Sequence, residues 1–233
     1  MKTIVVTGTP ATGKTTLSKK LAKKLNYYYV DVNKLISKHK LYEGYDRKRK
    51  TKIVDVRKLN KFLIDYIDFF KKNKLLELPH WQRQEALIHS ISKTFKKYNI
   101  IKKFENKIKK YNGLVIDSHL SHYLPKKYVD FCIITKCDIK ELNRRLKKKK
   151  FHKEKINENI QAEIFNICHE EALKRKHKII IVDTTKGFNI RAIAKLLVDW
   201  MLAQRVKGIA PSATLAIDAK AKQLKKEGKD VVI

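Results

Sequence analysis

Apolar positions along the chain fall into two kinds of pattern. Thr3-Ile4-Val5-Val6, Leu114-Val115-Ile116 ending at Asp117, 129–134 and 179–182 are short, nearly continuous apolar runs rich in β-branched residues. Runs of this length and composition predict strands buried on both faces, as in a parallel sheet. Tyr27-Tyr28-Tyr29-Val30, ending at Asp31, predicts a fifth strand. Elsewhere the spacing is helical. Leu17, Leu21 and Leu25 repeat every four residues among lysines over 13–25, and Leu59, Phe62, Leu63, Tyr66 and Ile67 open a longer pattern over 57–110 that Pro79 must divide. Helices are also predicted over 138–149, 153–176 and 190–202. Strands alternating with helices predict an α/β fold, a parallel five-stranded sheet with right-handed crossovers. The polar stretch 31–55 has little periodicity and is expected to fold over a ligand.

The connection between the first strand and the first helix carries the clearest chemistry. Gly8-Thr9-Pro10-Ala11-Thr12-Gly13-Lys14-Thr15 fits G-x-x-x-x-G-K-[ST] at every fixed position. Small residues let successive backbone N–H groups curl round a phosphate, and the following helix adds the positive end of its dipole. Lys14 then supplies a mobile charge to the β- and γ-phosphates of ATP, and the Thr15 hydroxyl is a ligand for Mg²⁺. A loop of this kind needs an acidic residue at the end of a neighbouring strand to hold the metal through water, and Asp117 occupies such an end. His119 lies two residues further on, on the same side of an extended chain, where it could orient or deprotonate a water. It could equally be a loop histidine bonded to backbone. Zinc binding by His119 and His122 lacks further ligands at a sensible spacing.

Charge widens the picture. Of 233 residues, 55 are lysine or arginine and 23 aspartate or glutamate, a formal net charge of +32. Lysine-rich solvated helix faces account for part of this, yet a surplus so large also attracts polyanions such as nucleotide phosphates or rRNA. The three cysteines, Cys132, Cys137 and Cys168, are read as free thiols of a reducing compartment. No apolar run reaches the ~18 residues of a membrane span, so a cytoplasmic protein is expected, or a nuclear one in a eukaryote.

Four separated segments resemble the adenylate kinase isoenzyme 6 family: Gly8 to Thr16, Leu41-Tyr42-Glu43-Gly44-Tyr45-Asp46 with Asp55, Asp117-Ser118-His119 with Pro125, and Asn159-Ile160-Gln161-Ala162-Glu163-Ile164-Phe165. The family comprises atypical adenylate kinases that also act as ATPases in small-ribosomal-subunit maturation. The resemblance implies a core domain over 1–200 that binds ATP through Gly8, Ala11, Thr12, Gly13, Lys14, Thr15, Thr16 and Lys149. A nucleoside-monophosphate arm over 31–54 would place Asp31, Gly44, Tyr45 and Asp46 on the AMP side, and 148–158 would be a short lid. Lys14, Asp117 and His119 would be catalytic, with Mg²⁺ held by Thr15 and, through water, Asp117. Implied partners are ATP, AMP, and a small-subunit ribosomal protein or rRNA.

Three features depart from the family pattern. Ala11 stands where it commonly has glycine, Lys149-Lys150-Phe151 where it has arginine, glycine and an aromatic, and the lysine-rich insert is longer than usual. The insert is either a docking arm or a structural hairpin. The tail, 201–233, resembles the opening of a class I aspartate aminotransferase but ends before any residue that binds its cofactor, so no such activity is expected.

Overall fold

The computed structural model describes residues 1–47, 49, 51–74 and 111–207, together with 223 and 227. Strands β1 (Lys2–Thr7), β2 (Tyr28–Asp31), β5 (Gly113–Asp117), β6 (Phe131–Lys136) and β7 (Ile179–Asp183) form one parallel sheet in the order β2-β5-β1-β6-β7. This is the five-stranded α/β P-loop fold expected from the apolar runs. Ile4, Val5 and Val6 of the central strand are wholly buried, as are Leu114, Val115 and Ile116. Register sets up the site. Val6 pairs with Asp117, and Asp117 with Asp31, so the chain leaves β1, β5 and β2 side by side at the carboxyl edge of the sheet, where ligands of open α/β sheets bind.

Helix α1 (Lys14–Leu25) follows β1 and buries Leu17 and Leu21. Helix α3 (Val56–Lys74) lays Leu59, Phe62, Leu63, Tyr66, Ile67 and Phe70 into the core that contains Val30, Leu114 and Ile116. Its spacing is that of one helical stripe. The remainder of the predicted insert, with Pro79, lies outside the described residues.

The structure fills the weakly periodic 31–55 stretch with helix α2 (Val32–Lys38) and a hairpin of β3 (Gly44–Asp46) and β4 (Thr51–Ile53). Asp31 caps α2 by accepting the Lys34 N–H at 3.1 Å. The fourth predicted strand begins at Phe131 because Pro125 and Lys126 accept the N–H groups of Tyr128 and Val129 in a turn of 3-10 helix.

Helix α4 (Ile139–Lys148) is capped by Asp138. The helix predicted over 153–176 is instead two, α5 (Lys153–Ile164) and α6 (Ile167–Lys174). Asn166 between them is left-handed (φ 53°), a conformation asparagine tolerates better than most side chains. Residues 191–233 form a separate unit. Its helix α7 (Ile190–Lys207) runs past the predicted end at 202, and beyond it Glu227 N–H donates to the Gln223 carbonyl at 3.1 Å and Gln223 Nε2 to Glu227 Oε1 at 3.2 Å. The aminotransferase-like tail otherwise lies outside the described residues. All three cysteines are free thiols. No helix among the described residues is long and apolar enough to cross a membrane.

Candidate active site

The loop 8–13 needs positive φ at three places: Gly8 (136°), Ala11 (70°) and Gly13 (88°). A side chain at Gly8 would also strike the Thr135 carbonyl, 2.5 Å from where its Cβ would sit. Ala11 is therefore less innocent than its size implies. A left-handed alanine costs roughly 1–2 kcal/mol that glycine avoids. Lys150, the other position where the family pattern has glycine, is likewise left-handed (φ 56°), closing the C-terminus of α4 with its N–H on the Lys147 carbonyl at 2.8 Å.

Hydroxyl groups tie the loop to the strands behind it. Thr12 Oγ1 donates to the Thr9 carbonyl at 2.7 Å and lies 2.6 Å from Thr135 Oγ1, and Thr184 Oγ1 donates to the Thr12 carbonyl at 2.6 Å. Arg145 in turn donates to the Thr184 and Thr185 carbonyls at 2.8 and 3.1 Å. Glu163, only 6% exposed, accepts from Thr9 Oγ1 at 2.5 Å and from the Cys137 N–H at 3.1 Å. It couples α5 directly to the loop.

Lys14 donates to the carbonyls of Gly8 and Thr9, both at 2.8 Å. Burial lowers its pKa to about 8, with Lys149 acting in the same direction and Cys168 and Asp117 against it. An ammonium held at this cost is ready to gain by meeting phosphate. Thr15 Oγ1 donates to Asp117 Oδ2 at 2.7 Å, and the Tyr29 hydroxyl donates to the same oxygen at 2.9 Å. Burial and the Asp117 charge push the Tyr29 phenol upward, so it stays a donor.

His119 is exposed and lines the cavity. The loss of part of its hydration at the cavity wall, joined by the charges of Lys14, His122 and Lys155, lowers its pKa to about 4. It is a neutral imidazole at pH 7, available as an acceptor.

These groups share one cavity of about 1470 Å³. Its lining includes the predicted Ala11, Gly13, Lys14, Thr15, Thr16, Asp117, His119 and Lys149. Gly8 and Thr12 form the loop's base behind it. Asp31 lines a smaller neighbouring hollow with Thr15 and Asn33, while Gly44, Tyr45 and Asp46 lie on the hairpin and do not reach either wall. From the arm it is Asn33, Arg49 and Thr51 that reach the cavity. Arg49 is ion-paired to Glu158 at 2.9 Å, and Lys155 donates to the Arg49 carbonyl at 3.2 Å, so the turn of the hairpin and α5 meet there.

Sequence reasoning missed Arg49, Arg145, Lys186, Tyr29 and the role of Glu163. Only Glu163 left a trace: it stands seven residues after Ile156, on the stripe that α5 buries. Around the cavity, Lys14, Lys20, Arg49, Arg145, Lys148, Lys149, Lys155 and Lys186 stand against the carboxylates of Asp117, Glu158 and Glu171. Cations dominate the wall, which suits a polyphosphate.

A phosphate-gripping loop, an acid-paired hydroxyl and a cationic cavity at the sheet's carboxyl edge define a P-loop nucleotide kinase. Residues 4–166 match the family model described as AAA domain, AAA_18. A Methanocaldococcus jannaschii protein called "Putative adenylate kinase" is 30% identical, the match covering 78% of this chain and 76% of that one. One of the same name from Methanosarcina mazei is 32% identical, with 78% of each covered. The Saccharomyces cerevisiae adenylate kinase isoenzyme 6 homolog FAP7 is 26% identical over 77% of this chain and 71% of its own. The chain belongs to the adenylate kinase isoenzyme 6 family, and so to the nucleoside monophosphate kinases.

Proposed function

We propose that this protein transfers the γ-phosphoryl group of ATP to AMP, giving two molecules of ADP, and hydrolyses ATP more slowly when water takes the place of AMP. The observation that carries the reading is the meeting of Lys14, the Thr15–Asp117 pair and His119 on one wall of a cationic cavity. Amides of 8–15 and the α1 N-terminus grip the β-phosphate. Lys14 exchanges its two carbonyl partners for phosphate oxygens, whose charge shifts in the transition state.

The Thr15 hydroxyl and the Asp117 carboxylate offer hard oxygen donors side by side, a set that fits Mg²⁺. When bound there the ion neutralises charge on the phosphates. His119, neutral at pH 7, accepts a hydrogen bond from the attacking water when ATP is hydrolysed. The arm 31–54 receives AMP, with Arg49 and Asn33 facing the cavity and Asp31, Gly44, Tyr45 and Asp46 in support. Lys149 and Lys155 approach from the lid side, and drawing both segments inward excludes water from the reaction.

A coupled assay of ADP formed from ATP plus AMP, beside ATP alone, tests the reading. Strong dependence on AMP supports it. Equal rates with and without AMP would reduce the protein to an ATPase. The net charge of +32 favours a second role beside rRNA or a small-subunit ribosomal protein, in which the nucleotide state times release during ribosome assembly. In that case ADP formation rises when such a partner is added.

A further inference from the structure

Beyond the loop lysine and the Asp117 pair, the site contains a polar chain that the phosphoryl-transfer reading leaves unused. His122 sits in the 3-10 turn Ser121–Tyr123, between β1 and α6, and is 1% exposed. Both of its ring nitrogens are engaged. Nε2 lies 2.9 Å from Glu171 Oε2, and Nδ1 lies 2.7 Å from Thr7 Oγ1. The other Glu171 oxygen accepts from the Tyr123 hydroxyl at 2.6 Å, and Arg175 stacks over the Tyr123 ring at 4.7 Å. Two partners therefore fix the carboxylate, and the carboxylate fixes the imidazole.

Thr7 is the joint of this chain. It is the last residue of β1, directly before Gly8, and its hydroxyl lies 3.4 Å from the backbone carbonyl of His119. The Cys168 thiol on α6 reaches the same hydroxyl as a weaker partner. Around it the 118–121 segment is stitched to β1: Ser118 N–H donates to the Val6 carbonyl at 3.2 Å, and Ser121 Oγ to the same carbonyl at 3.2 Å. Those bonds hold Ser118 and Ser121. Thr7 is what addresses His119 itself.

We propose that the Glu171–His122 pair, acting through the Thr7 hydroxyl, positions His119 for phosphoryl transfer. The logic is one of proton counting. Thr7 has a single hydroxyl proton. When His122 carries its proton only on Nε2, toward Glu171, Nδ1 is an acceptor and takes the Thr7 proton. Burial lowers the pKa of His122, so this neutral form is the one present at pH 7, and the Thr7 hydroxyl, turned toward Nδ1, fixes the end of β1 where it lies 3.4 Å from the His119 carbonyl. The orientation of the 118–121 segment is thus tied to Glu171, which α6 supplies from 49 residues beyond His122. The arrangement resembles in its physics the outer partners that orient a working imidazole at other sites, although here the link passes through backbone. Thr7, His122 and Glu171 act here as positioning residues, His122 and Glu171 from the wall of the cavity itself.

This inference rests on the phosphoryl-transfer role given to His119, and the test separates the two. Thr7→Val keeps the shape and a β-branched strand residue but removes the hydroxyl, whereas Thr7→Ser keeps the hydroxyl and removes a methyl. The expected result is that Thr7→Val lowers kcat for ATP hydrolysis about tenfold, the rate equivalent of one lost hydrogen bond, while KM for ATP changes less than about twofold. Thr7→Ser should recover most of that rate. Glu171→Gln should give a similar fall, and Thr7→Val combined with Glu171→Gln should be no slower than the worse single variant.

A purely structural Thr7 gives the opposite order, with Ser slower and less stable than Val, and overturns the proposal. Losses that multiply in the double variant also overturn it. If the wild-type protein transfers no phosphate, it is the proposed function that fails. If it does and the two Thr7 variants match it, this inference alone is lost.

Discussion

Thr15 and Asp117 are 102 residues apart in sequence and meet through a 2.7 Å hydrogen bond at the carboxyl edge of the sheet. Neither is placed by local structure alone: β1 delivers the loop before Thr15, β5 delivers Asp117, and the pairing of Val6 with Asp117 brings the two ends level. The pair should therefore act as a unit toward Mg²⁺. Asp117→Asn is expected to lower ADP formation by about 10–100-fold and to raise the Mg²⁺ concentration needed for half-maximal rate. A magnesium titration of both proteins checks this, and an unchanged half-maximal concentration would count against it.

Lys14 illustrates stability given up for function. Its folded pKa, about 8, is below the ordinary value of 10.5, so the unfolded chain binds the proton more tightly. Below pH 8 the penalty is full, and it fades as pH rises from 8 toward 10.5. Lys14→Met should therefore be more stable than wild type at pH 7 without nucleotide, with the difference closing above pH 8, while phosphoryl transfer disappears. Denaturant melts at pH 7 and pH 9.5 measure the closing gap.

The left-handed Ala11 gives a second stability prediction. Replacing it by glycine relieves about 1–2 kcal/mol of backbone strain and costs about 0.5–1 kcal/mol in unfolded-chain entropy. The balance favours Ala11→Gly by roughly 0.5–1 kcal/mol. Lys150→Gly should behave in the same way, since Lys150 has a φ of 56°. Thermal denaturation at fixed pH decides, and a fall in Tm for either variant would mean the strain is absent.

For His119 the expected signature is a split between rate and affinity. His119→Ala should slow ATP hydrolysis by about 100-fold, the scale of a lost general base, while ATP affinity stays within about threefold. Its low pKa of about 4 also carries a stability consequence. The unfolded chain gains the proton first, so wild type should lose stability relative to His119→Ala as pH falls from 6.5 toward 4. Parallel turnover, nucleotide titration and acid melts examine both claims.

The parts of this molecule that could be read from sequence are those whose physics is local or periodic. Continuous apolar runs gave away the five strands, and G-x-x-x-x-G-K-[ST] between a strand and a helix marked the loop. Three candidate site residues, Lys14 in the loop, Asp117 at a strand end and His119 two residues beyond it, follow from those readings, and all three line one cavity. What stayed hidden depends on contacts that no local pattern encodes. Glu163 reaches Thr9 across 154 residues, and Arg145 reaches Thr184 across 39. The seven-residue α2 is too short to show a helical period, and the break at Asn166 lacks the glycine or proline that usually announces one. Arg49 gained its place at the cavity only through the turn of the β3–β4 hairpin, which a polar stretch does not advertise.

The central claim is that this cavity moves a phosphoryl group between two nucleotides. ATP labelled in the γ-phosphate, incubated with the purified protein, Mg²⁺ and unlabelled AMP, puts it to the test. The account predicts label in the β-position of ADP, at a rate that rises with AMP and vanishes in Lys14→Ala. Label appearing solely as inorganic phosphate, at a rate indifferent to AMP, would contradict it.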